Sequence, residues 1–174
     1  MDISRYTGQS WNPLLVIYYM FFKHPGIQFS IYYRFERYLL YESNYLFRLI
    51  GVLLYPLYFI ATYYILDYNI HPKVPIGGGL FLHNKGIVFA EEVTVGKYFS
   101  CMGQVTIGRN LNKPLSKIII GDNVFMGVGS KVIAADVLEI KSGVQVGANA
   151  VVTKSLNREN GVYIGIPAMF VKKK

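Results

Sequence analysis

Cysteine and tryptophan occur once each in this chain, as Cys101 and Trp11, and histidine three times. A single cysteine excludes an internal disulfide framework and a multi-cysteine zinc site, and it fits a reducing compartment. Acidic residues are also scarce, ten against eighteen Lys and Arg, for a net charge of +8 and a sequence pI near 9.5. Nucleic acid is still not the expected partner, because the basic residues are scattered and no reader motif accompanies them. The opening "MDISRYTGQS" has no basic segment leading into a cleavable apolar core, so no secretory signal is expected.

What the chain does have is apolar and unevenly placed. Hydrophobic residues make up 52% of 174, with a mean hydropathy of +0.30. Twelve of the fifteen tyrosines precede Asp67, as does Trp11. The length suits one domain with an appendage. An aromatic, apolar front gives way near residue 67 to a back rich in Gly, Val and Ile.

The back repeats. "VGKYFS", "CMGQVT" and "IGRN" start at Val95, Cys101 and Ile107; "IGDNVF", "MGVGSK" and "VIAADV" at Ile120, Met126 and Val132; "IKSGVQ", "VGANAV" and "VT" at Ile140, Val146 and Val152. The same period reaches back to Ile76 and Leu82. A period of six fits neither a helix nor an alternating hairpin. It fits a three-sided coil of short strands, with each start residue inward and the next, often glycine, at a corner whose angles a Cβ resists. Stacked turns bury an aliphatic ladder that one turn could not bury alone. Two interruptions leave the coil: a loop over 109–119 containing Pro114, and a two-residue excess near Asp136. Loops on repeat proteins cluster on binding faces.

On these residues the back resembles the hexapeptide-repeat acyltransferases, and among them the serine acetyltransferase-like branch that includes O-acetyltransferases of surface polysaccharides. The motifs are "NIHP" (69–72), "IGGGLFLHNKGIV" (76–88), "VTIG" (105–108), "IIIGDNVFMGVGSKVI" (118–133), "VGANAVV" (146–152) and "GIPAMFV" (165–171). The resemblance implies a mainly β fold: a left-handed parallel β-helix over 69–174, preceded by an apolar α-helical segment over 1–68. It implies acetyl-CoA as co-substrate, a homotrimer, and CoA in the groove between neighbouring coils. It makes His83 the general base that takes a proton from an acceptor hydroxyl, a role suited to a group titrating near neutrality. Thr106, Gly127, Val128, Gly129, Gly147 and Ala148 occupy the CoA-binding positions. The tail lysines 172–174 either meet CoA phosphates or form a solvated charge run. His71 and His24 read as structural, and Cys101 as a small core residue. One of the three histidines lies in the front, which argues against the three-histidine zinc site of carbonic anhydrases that share this coil; no metal is expected.

The chain departs from true serine acetyltransferases. Asn69 stands where they carry the Asp that orients the catalytic His. Leu82 precedes His83 where they carry another Asp, in a stretch one residue shorter. The loop 109–119 offers Arg109, Lys113 and Lys117 in place of their second histidine. Their large N-terminal helical domain is not expected to fit before residue 69, nor their C-terminal tail after 174. These departures move the expected acceptor from serine toward a hydroxyl of a cell-envelope sugar or polysaccharide precursor. Serine or another small molecule is the alternative, as is a non-catalytic scaffold of a glycan-assembly complex.

In the front, Asn12 and Pro13 open a helix that "HPG" (24–26) breaks. A second runs from Ile27 to about Tyr41, with Ile27, Ile31, Phe35 and Leu39 on one side and Arg34 and Arg37 toward the other. The third stretch, 45–66, carries Arg48 as its one charge and is long enough to span a bilayer. Pro56 and its aromatics favour a place in or on the membrane surface, where Lys23, Arg34, Arg37 and Arg48 meet anionic headgroups. A soluble cap and a true span are the alternatives. The expected site is cytoplasmic, at the inner face of the cell membrane.

Overall fold

The structure, a computed structural model, describes Asp2, Arg5, Tyr18, residues 24–109 and residues 116–173. The expected first helix with Trp11, Asn12, Pro13 and Lys23, the loop residues Lys113 and Pro114, and Lys174 lie outside the described residues.

Three sheets run along the coil. The first holds β2 (Phe81–Leu82), β5 (Ser100–Cys101), β8 (Phe125–Met126), β11 (Gln145–Val146), β13 (Gly161–Ile164) and β14 (Met169–Lys173). The second holds β1 (Tyr68–Ile70), β3 (Ile87–Phe89), β6 (Thr106–Arg109), β9 (Lys131–Ala134) and β12 (Val151–Val152). The third holds β4 (Val93–Val95), β7 (Lys117–Ile120) and β10 (Val137–Ile140). The chain visits the sheets in that order and returns. From β2 to β9 each strand pairs in parallel with the strand three further on.

This is the three-sided architecture that the six-residue period predicts. All nine start residues, from Val95 to Val152, are buried. They stack in columns: Val95 on Ile120 on Ile140, Cys101 on Met126 on Val146, and Ile107 on Val132 on Val152. Each side also buries the residue two positions earlier, from Val93 and Phe99 to Ala150, as strand alternation requires. Ser130 sits in one of these inward positions and donates its hydroxyl hydrogen to Gly127 O at 2.7 Å, which offsets its burial.

The corner glycines act differently from the sequence expectation. The left-handed angle falls three residues after six of the nine starts, at Tyr98, Gln104, Asn123, Gly129, Gly143 and Asn149. The glycine directly after a start is required by stacking instead. A Cβ on Gly127 would lie 2.6 Å from Ala148 N, and one on Gly96 2.7 Å from Gly121 C, both in the next turn. The interruption at 109–119 is also shorter than expected, because Arg109 belongs to β6 and Lys117 to β7.

The front closes the first turn of the coil. Helix α1 (Pro25–Arg37) begins with a proline in its first turn, where a missing N–H costs nothing, and continues as one π-helical turn, Tyr38–Glu42. Helix α2 (Tyr45–Phe59) is capped by Asn44, whose side chain accepts from Phe47 N at 3.2 Å, and continues as the π-helical turn Ile60–Ile65. Phe29, Tyr33 and Tyr58 join the same buried cluster as the coil interior. Tyr33 donates its phenolic hydrogen to Val74 O, and Tyr58 donates to Ile70 O at 2.7 Å.

Two expectations for α1 fail. Its buried residues include Ile27, Phe29, Tyr33, Glu36 and, in the following turn, Leu39, while Phe35 is exposed. Arg34 and Arg37 do not face away from the coil. Arg34 donates to the carbonyls of Ile76 and Gly77, and Arg37 to those of Pro72 and Lys73. The first coil turn presents unpaired carbonyls at its open end, and guanidinium groups satisfy them. Residues Tyr45–Ile65 form a helix long and apolar enough to cross a membrane by length and composition, and little of it is buried.

Ile107 is fully buried in the second sheet. Ile107→Ala is expected to lower unfolding free energy by about 2–5 kcal/mol, read from urea denaturation. A loss below half that range would mean the columns are not close-packed there.

Candidate active site

The corner between the first and second sheets collects most of the sequence-derived site residues. His83 follows β2, Gly127 follows β8 and Gly147 follows β11, so they stand in line along one edge. Backbone hydrogen bonds tie this ladder: His83 N donates to Cys101 O at 3.0 Å, Met102 N to Met126 O at 2.9 Å, and Gly127 N to Val146 O at 2.8 Å. Val128, Gly129 and Ala148 follow at the same corner, and Thr106 lies just beyond it in β6. Val128 and Ala148 are exposed, whereas Gly127 and Gly129 are buried. Turn stacking explains glycine at 127, where a Cβ would meet backbone of the next turn, whereas a Cβ on Gly147 would meet only the Ile164 side chain, at 2.7 Å from its Cγ2.

The His83 corner is longer than those above it. Leu82 pairs with Cys101 and Val88 with Thr106, so one additional residue fits into the first corner. His83 is exposed, its ring meeting the edge of Phe81 at 4.3 Å between centroids. Leu82 points into the core, a position where a carboxylate would be stranded without water.

Arg5, which carries no sequence motif, lies beside this corner. Its guanidinium donates to the carbonyls of Gly79 and Phe99 and to Ser100 Oγ. It sits 5.5 Å from the Phe81 ring centroid and 5.8 Å from that of Tyr98. Asp2 accepts from the backbone of Gly79 and Leu80 and pairs with Arg34. Partial desolvation, and secondarily the Arg5 charge, hold the His83 imidazole below its ordinary pKa. A neutral imidazole is the form that accepts a proton.

Other candidates separate from this corner. Asn69 is exposed in β1, one turn before Val88 in the same row, and no hydrogen bond joins it to His83. Lys117 is exposed on the third sheet, beside an open groove of about 450 Å³ shared with Lys73, Glu91 and Glu92. His71 Nδ1 accepts from Lys73 N at 3.0 Å and its ring packs on Tyr55, a turn-stabilising arrangement. Burial pushes the Cys101 thiol far up. Lys172 and Lys173 both lie in β14, opposite Val162 and Gly161 of β13. Among the described residues no group of three or more His, Cys, Asp or Glu could hold a metal ion.

No protein-family model matches the chain. Over 107 residues it is 37% identical to a serine acetyltransferase of Staphylococcus epidermidis, covering 60% of this chain and 49% of that one. Over 108 residues it is 38% identical to a serine acetyltransferase of Staphylococcus aureus, again covering 60% and 49%. The chain spans about half the length of the curated relatives it matches. Among solved structures, a serine acetyltransferase from Vibrio cholerae superposes with a TM-score of 0.76 at 23% identity, covering 99% of this chain and 64% of that one. A soybean serine acetyltransferase without ligand gives 0.72 at 25%, covering 88% and 60%. The coil is thus similar in sequence, and the chain in fold, to serine acetyltransferases.

The lowered His83 pKa has a sign. In the folded state the imidazole resists protonation, so this group's contribution to stability is present above about pH 6.5, its unperturbed value. It is lost as pH falls toward the folded value. An NMR titration should place the His83 midpoint below that reference, and Arg5→Ala should move it upward. A midpoint unchanged by Arg5→Ala would remove Arg5 from the electrostatics of the corner.

Proposed function

We propose that this chain is an acetyl-CoA-dependent O-acetyltransferase with His83 as its general base. The observation that carries the reading is His83 on an exposed corner, in line with the small residues Gly127, Gly147 and Ala148, in a coil similar to serine acetyltransferases. In this reading the coil has the left hand that the resemblance implies. Acetyl-CoA lies along the corner edge, where Gly127 and Ala148 let main chain approach the pantetheine arm. A solved serine acetyltransferase in complex with CoA shares the fold, with a TM-score of 0.70 at 24% identity. His83 takes the acceptor hydroxyl proton as the oxygen attacks the thioester carbon. The tetrahedral intermediate then collapses, expelling CoA thiolate, and the proton held by His83 returns to sulfur. Thr106, Val128 and Gly129 complete the CoA-facing edge.

For the acceptor, the relatives' names favour serine, and serine is the first candidate. A second reading, a hydroxyl of a cell-envelope sugar or polysaccharide precursor, is favoured by the charges at the corner. Arg5 stands beside His83 where an ammonium group would be repelled, and Asn69 and Leu82 supply no carboxylate to bind one. Three chains in a homotrimer would enclose each site, with Lys113 and Lys117 of one chain facing His83 of the next; Lys117 lies on another sheet from His83 within one chain. The exposed apolar helix Tyr45–Ile65 supports association with the inner face of the cell membrane.

His83→Ala should lower acetyl transfer by roughly 10²–10⁴-fold while CoA binding and thermal stability persist. Release of free thiol from acetyl-CoA, measured with serine and with a panel of envelope sugars, decides the acceptor. Wild-type turnover in His83→Ala would reject the assignment. In sedimentation the particle should have three times the 19.8 kDa mass of the chain, and a fully active monomer would reject the shared site.

A further inference from the structure

Between α1 and α2 lies a half-open groove of about 430 Å³, lined by Tyr32, Phe35, Glu36, Leu54, Leu57 and Ile60 among others. That is within the range of small-molecule clefts. Its walls are almost wholly apolar, with one exception. Glu36 is 2% exposed, and its Oε1 has no hydrogen-bond partner among the described residues. A buried carboxyl without a partner is costly and calls for an explanation. The rim residues Phe35, Leu57 and Ile60 are themselves exposed, so the groove opens directly onto the long apolar face of Tyr45–Ile65.

We propose that this groove binds a single-chain lipid with a hydroxyl head, the hydroxyl donating to Glu36 Oε1 and the alkyl chain lying along Leu54, Leu57 and Ile60. The apolar walls match a hydrocarbon chain and no charged ligand. Continuity with the exposed helix face gives such a chain a route in from a bilayer. A hydroxyl satisfies Oε1 whether or not the carboxyl is ionised. Burial raises the Glu36 pKa, which disfavours the carboxylate and with it a paired ammonium head. The groove shares no lining residue with the His83 corner, so its failure and that of acyl transfer are separable.

The test uses the full chain with decanol, decyl methyl ether and decylammonium, with binding measured by calorimetry and by thermal shift. At a pH that keeps Glu36 ionised, where an ether oxygen meets no donor, decanol should bind about tenfold more tightly than the ether, as expected for one hydrogen bond to a desolvated group. Glu36→Gln keeps an acceptor oxygen and should keep the preference. Glu36→Leu should bind the two equally and melt higher without ligand, since it removes the unpartnered oxygen. Ala61→Phe, which fills the groove, should lose both ligands while retaining acetyl transfer. Equal binding of decanol and ether by the wild type would overturn the proposal, as would decylammonium binding most tightly. Undiminished binding by Ala61→Phe would do the same. So would disulfide cross-linking of Leu57→Cys between chains, which would put a second copy in the groove.

Discussion

In this coil an inward side chain is buried by the turns on either side of it, so a turn without a neighbour would leave its core and its carbonyls facing water. At the first turn α1 supplies that neighbour. Phe29 and Tyr33 cover the interior, with the Phe29 and Tyr68 rings 5.0 Å apart, and Arg34 and Arg37 occupy the carbonyls of residues 72–77. At the other end β14 folds back antiparallel on β13, and Phe170 packs on Tyr163. The arginines of α1 thus have a structural assignment and are not spare cations. Of the four basic groups expected to meet headgroups, Arg48 is the exposed one among the described residues.

The same stacking governs the candidate site. Successive turns repeat with so little space at the corner that Gly96 and Gly127 cannot carry a Cβ without meeting the next turn. A ligand lying along that corner meets main chain and small side chains, and its specificity must come from residues outside the repeat. His83 stands where the corner takes up an additional residue, and Arg5 reaches it from far away in sequence. A cation beside a general base favours the neutral imidazole and disfavours a cationic acceptor. In the proposed reaction that bears on rate and on acceptor choice together.

The front helices divide into a face committed to the coil and a face that stays exposed among the described residues. α1 buries Phe29 and Tyr33 against the first turn, while Leu46, Leu53, Leu57 and Ile65 along the second helix remain exposed. That much apolar surface in one continuous strip is unusual for a soluble monomer. Glu36 at the base of the groove between the helices is a polar group placed where packing alone would select an aliphatic residue.

The sequence by itself determined the coil. An inward residue every sixth position is a local regularity, and Val95, Met126 and Val152 are legible as core because each turn solves the same packing problem with the same pattern. It also marked His83, through the residues around it, and the helices ending near residues 42 and 65. Only the tertiary structure decided which face of α1 is buried. Ile31 and Phe35 are as apolar as Phe29 and Tyr33, and the choice depends on where the first coil turn lies. Only the tertiary structure brought Arg5 to Phe81 and left Glu36 Oε1 without a partner among the described residues. Those placements join residues far apart in the chain, and no periodic pattern encodes them. The loop glycines show the same limit at short range: their spacing was readable, but the reason for them was not. A Cβ at Gly127 fails against the backbone of the next turn, a contact that exists only once the turns are stacked.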